Sequence, residues 1–172
     1  FGYWVGGTPS NVSTVDRITY SNDTATATPK GFLSVVNHGT AGTGNNNYGW
    51  IGGGQSAYPG TSKSIVDRID YSNDTATAAV KGPLSNDAGT SSGRRATGNA
   101  DFGWFAGGGY PSQTSTVDRV DYSNDTATAV ARGSLGSTRI TLAGTGNVDS
   151  GYFSGAYSPG KSTVERIQYA ND

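Results

Sequence analysis

The stretch Val66-Asp67-Arg68-Ile69-Asp70-Tyr71 decides the fold of this chain, because close copies of it recur along the sequence. The copies begin at Val15, Val66, Val117 and Val164, so the intervals between them are 51, 51 and 47 residues. A period of about fifty residues is typical of a repeat protein, in which each unit packs against its neighbours. We therefore predict that three complete units and part of a fourth account for nearly all of the 172 residues.

The composition favours strands and turns. The chain contains 27 Gly, and hydrophobic residues make up only 33% of it. Because it lacks the Leu, Ala, Glu and Lys content of helical repeats, we predict an all-β fold of short strands. The net charge of −1, with scattered Lys and Arg, argues against a nucleic-acid partner. No apolar run of about 18 residues is present, so we expect no membrane insertion, and the absence of Cys excludes disulfides and thiolate metal sites.

Alignment of the copies divides each unit into four segments, which we name A to D. Segment B is aromatic and ends in Gly-Gly, as in residues 48–54, and segment C is the Val-Asp-Arg phrase, whose period-2 alternation predicts a strand. Segment D is Thr-Ala-Thr-Ala, and segment A ends in Thr-Gly-Asn. We predict antiparallel four-stranded meanders with four B, four C, three D and three A strands. The predicted units are 1–47, 48–101, 102–149 and the partial unit 150–172.

The turns and the B strands lead to two further expectations. Ser-Asn-Asp-Thr joins segment C to segment D three times, and because Asn and Asp favour turns we predict tight hairpins there. The D strands would then be residues 24–27, 75–78 and 126–129. Aromatic and aliphatic residues alternate along segment B, so we expect both faces of these strands to be buried between neighbouring units, Trp4, Trp50 and Phe105 included.

The units resemble kelch-type β-propeller blades. The resemblance rests on the Gly-Gly that ends segment B, the Val-x-x-Ile/Val-x-Tyr strand, the Asn-Asp-Thr turn and a Pro/Leu-Ser loop such as residues 82–85. It implies a kelch-like β-propeller, or an arc of one, with about 3.5 four-stranded antiparallel blades. The chain departs from the kelch pattern where Thr-Ala-Thr-Ala replaces the usual Trp. We expect an arc of a larger ring rather than a closed four-bladed ring, and we expect the chain to be a piece of a longer polypeptide.

A narrower resemblance concerns the setting of the protein. The near-verbatim blocks Asn-Asp-Thr-Ala-Thr-Ala and Tyr-Gly-Trp-x-Gly-Gly-Gly are similar to repeat proteins encoded by phages of aquatic bacteria. That resemblance implies a virion or tail-appendage protein, and therefore an extracellular or virion location.

Comparison of the units with one another locates a candidate binding surface. The A-to-B and C-to-D connections keep a constant length, whereas the B-to-C connections measure 8, 12, 9 and 8 residues and the D-to-A connections 16, 19 and 16. In a meander alternate connections lie at the same end of the sheet, so the variable loops share one edge. Loops that carry function on a rigid scaffold vary in this way. The candidate ligand-binding residues in these loops are Tyr58, Arg94, Arg95, Tyr110 and Tyr157.

Two readings of these loop residues stay open. Tyr offers contact area at a low cost in conformational entropy, so the tyrosines could stack on a sugar or contact a protein, and Arg94 or Arg95 could donate hydrogen bonds to the ligand. The alternative is that Tyr and Pro only stiffen the loops and cover the ends of the units.

Other polar residues give no catalytic set. The carboxylates of segment C and the arginines beside them recur once per unit, whereas catalysis needs one asymmetric constellation, so we predict a structural role for them such as pairing between units. His38 is the only histidine, which leaves no zinc or copper cluster and no Ser-His-Asp relay. The copper site of kelch-like oxidases needs two His and a Cys-linked Tyr, which this chain lacks. Ca²⁺ binding and N-glycosylation at the Asn-Asp-Thr turns are less favoured than turn chemistry.

The sequence therefore predicts a non-enzymatic module without cofactor or metal. Its expected partner is a host-surface glycan or protein, or other virion proteins, and assembly into a homo-oligomer stays open. The alternative function is a purely structural one, as a fibre or a particle-decoration protein. An enzyme whose catalytic residues lie outside this sequence is the least favoured class.

Overall fold

The structure is a computed structural model, and it describes residues 1–7, 12–56, 62–85, 92–109, 112–157 and 160–172. Strands make up almost all of the regular structure in these ranges. The strands are β1 (Gly2–Gly7), β2 (Val12–Ile18), β3 (Thr28–Phe32), β4 (Ala41–Gly44), β5 (Tyr48–Gly52), β6 (Val66–Asp70), β7 (Ala79–Lys81), β8 (Arg95–Gly98), β9 (Phe102–Ala106), β10 (Thr116–Asp121), β11 (Val130–Ser134), β12 (Ala143–Gly146), β13 (Ser150–Ser154) and β14 (Val164–Gln168). Short 3-10 helices follow the C strands at Tyr20–Asn22, Tyr71–Asn73, Tyr122–Asn124 and Tyr169–Asn171.

The strands form four antiparallel sheets, each of them a simple meander. Sheet 1 has the order β1-β2-β3, sheet 2 β4-β5-β6-β7, sheet 3 β8-β9-β10-β11 and sheet 4 β12-β13-β14. In the described ranges this gives four B strands, four C strands, three D strands and three A strands. The all-β fold and the strand inventory predicted from the repeats are therefore confirmed.

Strand pairing shows where a sheet begins. Each A strand pairs with the B strand that follows it, so that Thr43 lies opposite Trp50 and Thr97 opposite Trp104. The turn between them is held by the Asn side chain: Asn45 Oδ1 accepts the backbone N–H groups of Asn47 at 2.9 Å and Tyr48 at 3.1 Å. Each complete sheet thus starts with an A strand, one segment earlier than the B strand that opens the units as we counted them in the sequence.

The predicted position of the D strands was wrong. Residues 24–27, 75–78 and 126–129 lie outside the strands, in the connection between the 3-10 helix and the D strand, so the C-to-D connection is not a tight hairpin. The backbone of this segment instead bonds to the neighbouring sheet. Gly31 N–H of sheet 1 donates to Asp74 O at 2.8 Å, and Ala78 N–H donates to Phe32 O at 2.8 Å. A Cβ on Gly31 would lie 2.0 Å from Ala76 O, which explains why glycine stands there.

The core lies between successive sheets. Trp50 and Phe105 pack together between sheets 2 and 3, and Trp104 and Phe153 pack between sheets 3 and 4. Trp50 is 1% exposed and Phe105 is fully buried, which confirms the prediction that both faces of the inner B strands are covered. Trp4 contradicts it, because this side chain is 55% exposed. It lies on the face of sheet 1 that has no sheet in front of it.

Candidate functional site

The sheets present two edges with different chemistry. We call the edge with the A-to-B and C-to-D connections the turn edge, and the edge with the B-to-C and D-to-A connections the loop edge. In each sheet, the face turned towards the preceding sheet in the chain is called the front face. The opposite face is called the back face. The turn edge carries the constant connections and the loop edge the variable ones.

At the turn edge, the Asp of the Asn-Asp-Thr turn in sheets 2 and 3 holds the preceding sheet. Asp125 Oδ2 accepts hydrogen bonds from Arg68 at 2.9 Å and from the indole Nε1 of Trp50 at 3.0 Å, and Lys81 lies 3.2 Å from Oδ1. Asp125 is almost completely buried. A buried carboxylate surrounded by cationic and N–H donors is well satisfied, and loss of it would leave those donors unpaired.

The pairing of this Asp with an arginine of segment C recurs at the other two contacts between sheets. Asp74 accepts from Arg17 at 2.7 Å and from Tyr3 Oη at 3.0 Å, and Asp172 accepts from Arg119 at 3.2 Å. The predicted structural role of the segment C arginines, pairing between units, is therefore confirmed for these three contacts. This pairing between sheets also gives a structural reason why the Asn-Asp-Thr turn is constant.

A stack of aromatic rings lies beside each of these ion pairs. Tyr122 stacks on Trp50 with ring centroids 3.7 Å apart, Tyr169 stacks on Trp104 at 3.8 Å, and Tyr71 stacks on Tyr3 at 4.8 Å. Burial raises the pKa of the Tyr71 hydroxyl to about 12. These rings therefore act as apolar packing surface that remains un-ionised at neutral pH.

Several clefts open on the turn edge, and three of them follow the contacts between two successive sheets. These three have volumes of about 630, 480 and 610 Å³ and similar linings, each with an aromatic residue that begins a B strand and an Asn-containing A-to-B turn. Sequence reasoning missed them, although the constant spacing of the aromatic, Asn and Asp residues was the signal.

In the first cleft Asp70 Oδ1 accepts Ser72 N–H at 2.9 Å, and hydrogen bonds from Ser72 hold the pKa of the Asp70 carboxyl below its usual range. The Arg68 guanidinium covers the Tyr48 ring at 4.4 Å. Much of the polar lining of these clefts is therefore already engaged in contacts that stabilise the turns.

At the loop edge, backbone hydrogen bonds connect successive sheets just before the A strands. Gly93 N–H donates to Gly39 O at 2.8 Å, and Thr141 N–H donates to Gly93 O at 3.0 Å. All three residues have positive φ, between 58° and 71°, which is unfavourable for Thr because of its Cβ. The A strands therefore enter the stack at equivalent points although the loops before them differ in length.

Arg94 does not lie at the surface, which contradicts its predicted role as a ligand-binding residue. Its side chain is 0% exposed and Nη1 donates to Asp118 Oδ2 at 2.5 Å, and Ser85 Oγ also donates to this carboxylate. A guanidinium buried against a carboxylate is unavailable to a ligand. A similar pair, Arg139 with Glu165, lies at the next contact between sheets.

The first contact between sheets lacks such a cation among the described residues. Asp67 occupies the position of Asp118 and is 2% exposed, and its Oδ2 accepts Ser34 N–H at 3.0 Å. Burial raises the pKa of the Asp67 carboxyl, and the hydrogen bonds from Ser34 oppose this only in part. Asp67, Asp118 and Glu165 of segment C are thus each held at a contact between sheets.

The remaining candidate residues have different outcomes. Tyr157 is 80% exposed, and Arg95 is half-buried at the start of β8, where its Nη1 donates to Arg94 O at 2.7 Å. Tyr58 and Tyr110 lie outside the described residues. The structure therefore leaves Tyr157 and Arg95 on the loop edge and moves Arg94 into the core.

Two features are absent from the described residues. His38 is held by its backbone, which bridges to Gln55, and no group of three His, Cys, Asp or Glu side chains that could hold a metal ion occurs in the described part of the chain. Within the same ranges, none of the helices has the length and apolar character needed to cross a membrane.

Comparisons with known proteins define the fold only. Neither a protein-family model nor a curated protein matches this sequence. A solved structure described as "Structure of YjhT" is similar, with a TM-score of 0.73 and 17% identity over 91% of this chain. The match takes up 49% of that chain, so the present chain spans about half its length. At this identity the similarity indicates a shared all-β architecture.

Proposed function

We propose that the four sheets form an arc of a kelch-like β-propeller. Two observations support the proposal. The A strands β4, β8 and β12 lie beside one another, and the bonds through Gly39, Gly93 and Thr141 join the same point of successive sheets. Contact along the A strands, with the D strands on the opposite side, is what a propeller arrangement would require, and it supports the proposal.

On this scaffold we propose a non-enzymatic binding module that uses the loop edge. The observation that carries the proposal is the different use of the two edges. At the turn edge the constant residues form the contacts between sheets. Asp125, for example, accepts hydrogen bonds from Trp50 and Arg68. At the loop edge the connections differ in length while the backbone positions that precede the A strands stay in register. An edge that varies on a fixed scaffold is where recognition is expected.

The ligand we propose is a host-surface glycan or protein, met in a virion or extracellular setting. Tyr157 supports the role of the loop edge, because a ring that is 80% exposed is available for stacking. The setting rests on the resemblance of the repeats to phage proteins. The second unit has the longest loop of each class, so we expect Tyr58 to contribute most and Arg95 to supply a donor.

The experiment is binding of the purified chain to candidate host cells and to a glycan array. We expect Tyr58→Ala, Tyr157→Ala and deletion of residues 56–60 each to weaken binding by about tenfold or more, as for aromatic hot spots. Val148→Ala is the matched control, because Val148 is 75% exposed at the turn edge. Binding that survives the loop changes and is lost with Val148→Ala would assign recognition to the turn edge. Cell binding without glycan binding would point to a protein ligand.

A second candidate function, a purely structural fibre or decoration protein, has its own support. The exposed aromatic residues Trp4 and Tyr20 lie at one end of the stack and suit assembly rather than recognition of a soluble ligand. If the chain assembles but binds neither cells nor glycans, this function is favoured.

A further inference from the structure

We propose that a monovalent cation, Na⁺ or K⁺, binds at the contact between sheets 1 and 2, beside the segment C carboxylate of Asp67, where the other two contacts have a guanidinium. The proposal rests on two buried oxygen atoms that lack a hydrogen-bond donor in the described structure, Asp67 Oδ1 and Asn37 Oδ1. It concerns the packing of the sheets and does not depend on the binding function proposed above.

The other two contacts each bury a positive charge against the carboxylate of segment C. Between sheets 2 and 3 the fully buried Arg94 pairs with Asp118 at 2.5 Å. Between sheets 3 and 4 Arg139, which is 2% exposed, pairs with Glu165. A buried carboxylate needs such a partner, because the loss of its hydration is otherwise not offset.

Asn37 has the position before sheet 2 that Arg139 has before sheet 4. Each residue stands four positions before the first residue of its A strand, β4 or β12. The backbone contacts also agree: Asn37 O accepts Gly7 N–H at 3.1 Å, and Arg139 O accepts Gly108 N–H at 2.7 Å, in both cases from the preceding sheet. The two side chains therefore start from equivalent points of the fold.

The side chain of Asn37 makes only the first part of the contact that Arg139 makes. Asn37 Nδ2 donates to Gly53 O at 2.7 Å, and Arg139 Nη1 donates to the equivalent Gly155 O at 3.2 Å. The guanidinium of Arg139 continues from there to its carboxylate. The Asn side chain is shorter and uncharged, so nothing corresponds to that second half of the contact at Asp67.

No side chain of the protein supplies a positive charge to Asp67. This residue lies on the front face of sheet 2 and is 2% exposed, and only its Oδ2 has a partner, Ser34 N–H at 3.0 Å. In the described structure none of the Lys, Arg and His side chains forms an ion pair with Asp67. The residues outside the described ranges include no Lys, Arg or His. A positive charge at this carboxylate must therefore come from outside the chain.

The oxygen atoms at this contact determine which cation suits it. Asn37 is 3% exposed, and Ser34 also faces the Asp67 carboxyl with a buried hydroxyl oxygen. Carboxylate, amide and hydroxyl oxygens suit hard cations. A single carboxylate balances one positive charge, as it does in the two Arg pairs. Ca²⁺ would leave a positive charge buried, and it usually takes about six to eight oxygen ligands.

The test is thermal unfolding of the chain in NaCl, KCl and choline chloride at equal concentration, followed by circular dichroism. The choline cation is too large for a buried site between two sheets. We expect the Tm to be about 2–4 °C higher in NaCl or KCl than in choline chloride, because an ion that binds only the folded chain stabilises it. The salt with the larger effect identifies the ion. Broadening of the Na⁺ NMR signal, with KCl as the competitor, reports binding directly.

Two variants remove the site in different ways. Asn37→Arg restores a guanidinium at the position of Arg139, and Asp67→Asn removes the buried charge. In both variants we expect the same Tm in all three salts and no broadening of the Na⁺ signal by this site. Asp67→Asn should exceed the parent chain in stability most clearly in choline chloride, where no ion offsets the charge. If Asn37→Arg does not fold, Asp67→Asn decides the question.

Asp149→Asn is the matched control. It removes an exposed carboxylate at the turn edge, so it should keep the difference between salts that the parent chain shows. A difference that is present in the parent chain and in this control, and absent from the variants of the site, supports the proposal. Equal Tm values of the parent chain in the three salts would overturn it, and so would a difference that persists in Asp67→Asn. Stabilisation by CaCl₂ where Na⁺ and K⁺ have no effect would overturn the assignment of a monovalent ion.

Discussion

The indole Nε1 of Trp50 donates a hydrogen bond of 3.0 Å to Asp125 Oδ2, across the contact between sheets 2 and 3. The two residues are 75 positions apart in sequence. Burial of a Trp ring contributes strongly to stability, but the N–H needs an acceptor once water is excluded. Asp125 therefore accepts the hydrogen bond that the buried Trp50 ring needs and also pairs with Arg68.

The first prediction concerns this aspartate. Asp125→Ala leaves Trp50 Nε1, Arg68 and Lys81 without their acceptor, so we expect a loss of about 1–3 kcal/mol in the free energy of unfolding. Urea denaturation followed by tryptophan fluorescence measures it. Asp149→Ala, which removes an exposed carboxylate from the same edge, should change stability by less than about 0.5 kcal/mol. Equal effects of the two substitutions would contradict a special role for Asp125.

The second prediction concerns the buried ion pair. Asp118→Ala leaves the fully buried Arg94 guanidinium uncompensated, and we expect a loss of about 3–5 kcal/mol. Replacement of both partners, Arg94→Met with Asp118→Leu, should cost much less than the sum of the single replacements, because no lone charge remains buried. A double-mutant cycle from urea unfolding measures the coupling. Arg95→Met, at the half-buried neighbour, is the control. Additive single effects would mean that Arg94 and Asp118 do not interact.

The third prediction concerns the pH dependence contributed by Asp67. Because burial raises the pKa of its carboxyl in the folded state, the folded protein binds this proton more tightly than the unfolded chain does. The contribution therefore favours folding as the pH falls through the folded pKa, and it is lost as the pH rises above that value. Asp67→Asn removes this dependence, and we expect a gain of about 1 kcal/mol at pH 7, because no unpaired charge is then buried.

The difference between Asp67→Asn and the parent chain should shrink as the pH is lowered from 7 towards 4, and thermal unfolding across that range measures it. Asp118→Asn should instead destabilise the protein at pH 7, since the Asp118 carboxylate is paired with Arg94. A constant difference for Asp67→Asn at all pH values would show that this carboxyl has an ordinary pKa in the folded protein.

The fourth prediction concerns the left-handed position before the A strands. Thr141 has a φ of 58° where the preceding two sheets place Gly39 and Gly93. A β-branched residue is strained there, so Thr141→Gly should raise stability by about 0.5 kcal/mol after the entropy cost of glycine. The reciprocal change Gly93→Thr should destabilise, because an added Cβ would also lie 2.7 Å from Ile140 Cγ1. Differential scanning calorimetry of both variants tests the pair, and a lower Tm for Thr141→Gly would show that strain is absent.

The strands were predictable because they are a local, repeated property of the sequence. The alternation in residues 66–71 follows the two-residue period of a pleated strand. The Gly-Gly at the end of segment B marks the end of each B strand. The position of the D strands was not predictable from these signals. Thr-Ala-Thr-Ala has the composition of a strand, but its backbone bonds across to the neighbouring sheet, as Ala78 does to Phe32 O. This hydrogen bonding between sheets depends on how two neighbouring sheets pack, which the pattern within one unit does not indicate.

The site was less predictable than the fold. Arg94 lies in a long loop and resembles a surface residue in sequence, and its partner Asp118 is 24 positions further on. A recurrent inward-facing acid on the C strands was a signal that some cations must be buried with them. The exposure of Trp4 was missed for another reason, because identical positions in a repeat have different surroundings at the end of a stack.

The Asp–Arg contacts across each sheet boundary also bear on how such a chain can change. Each contact uses one residue pair supplied by the two sheets that meet, and the pair is chemically the same at every boundary. If a whole unit were gained or lost, the new neighbours would therefore meet with the same Asp–Arg pair at their contact. Loop-edge sequences would travel with the unit, so that exchange of units would create new surfaces without requiring the junctions to adapt.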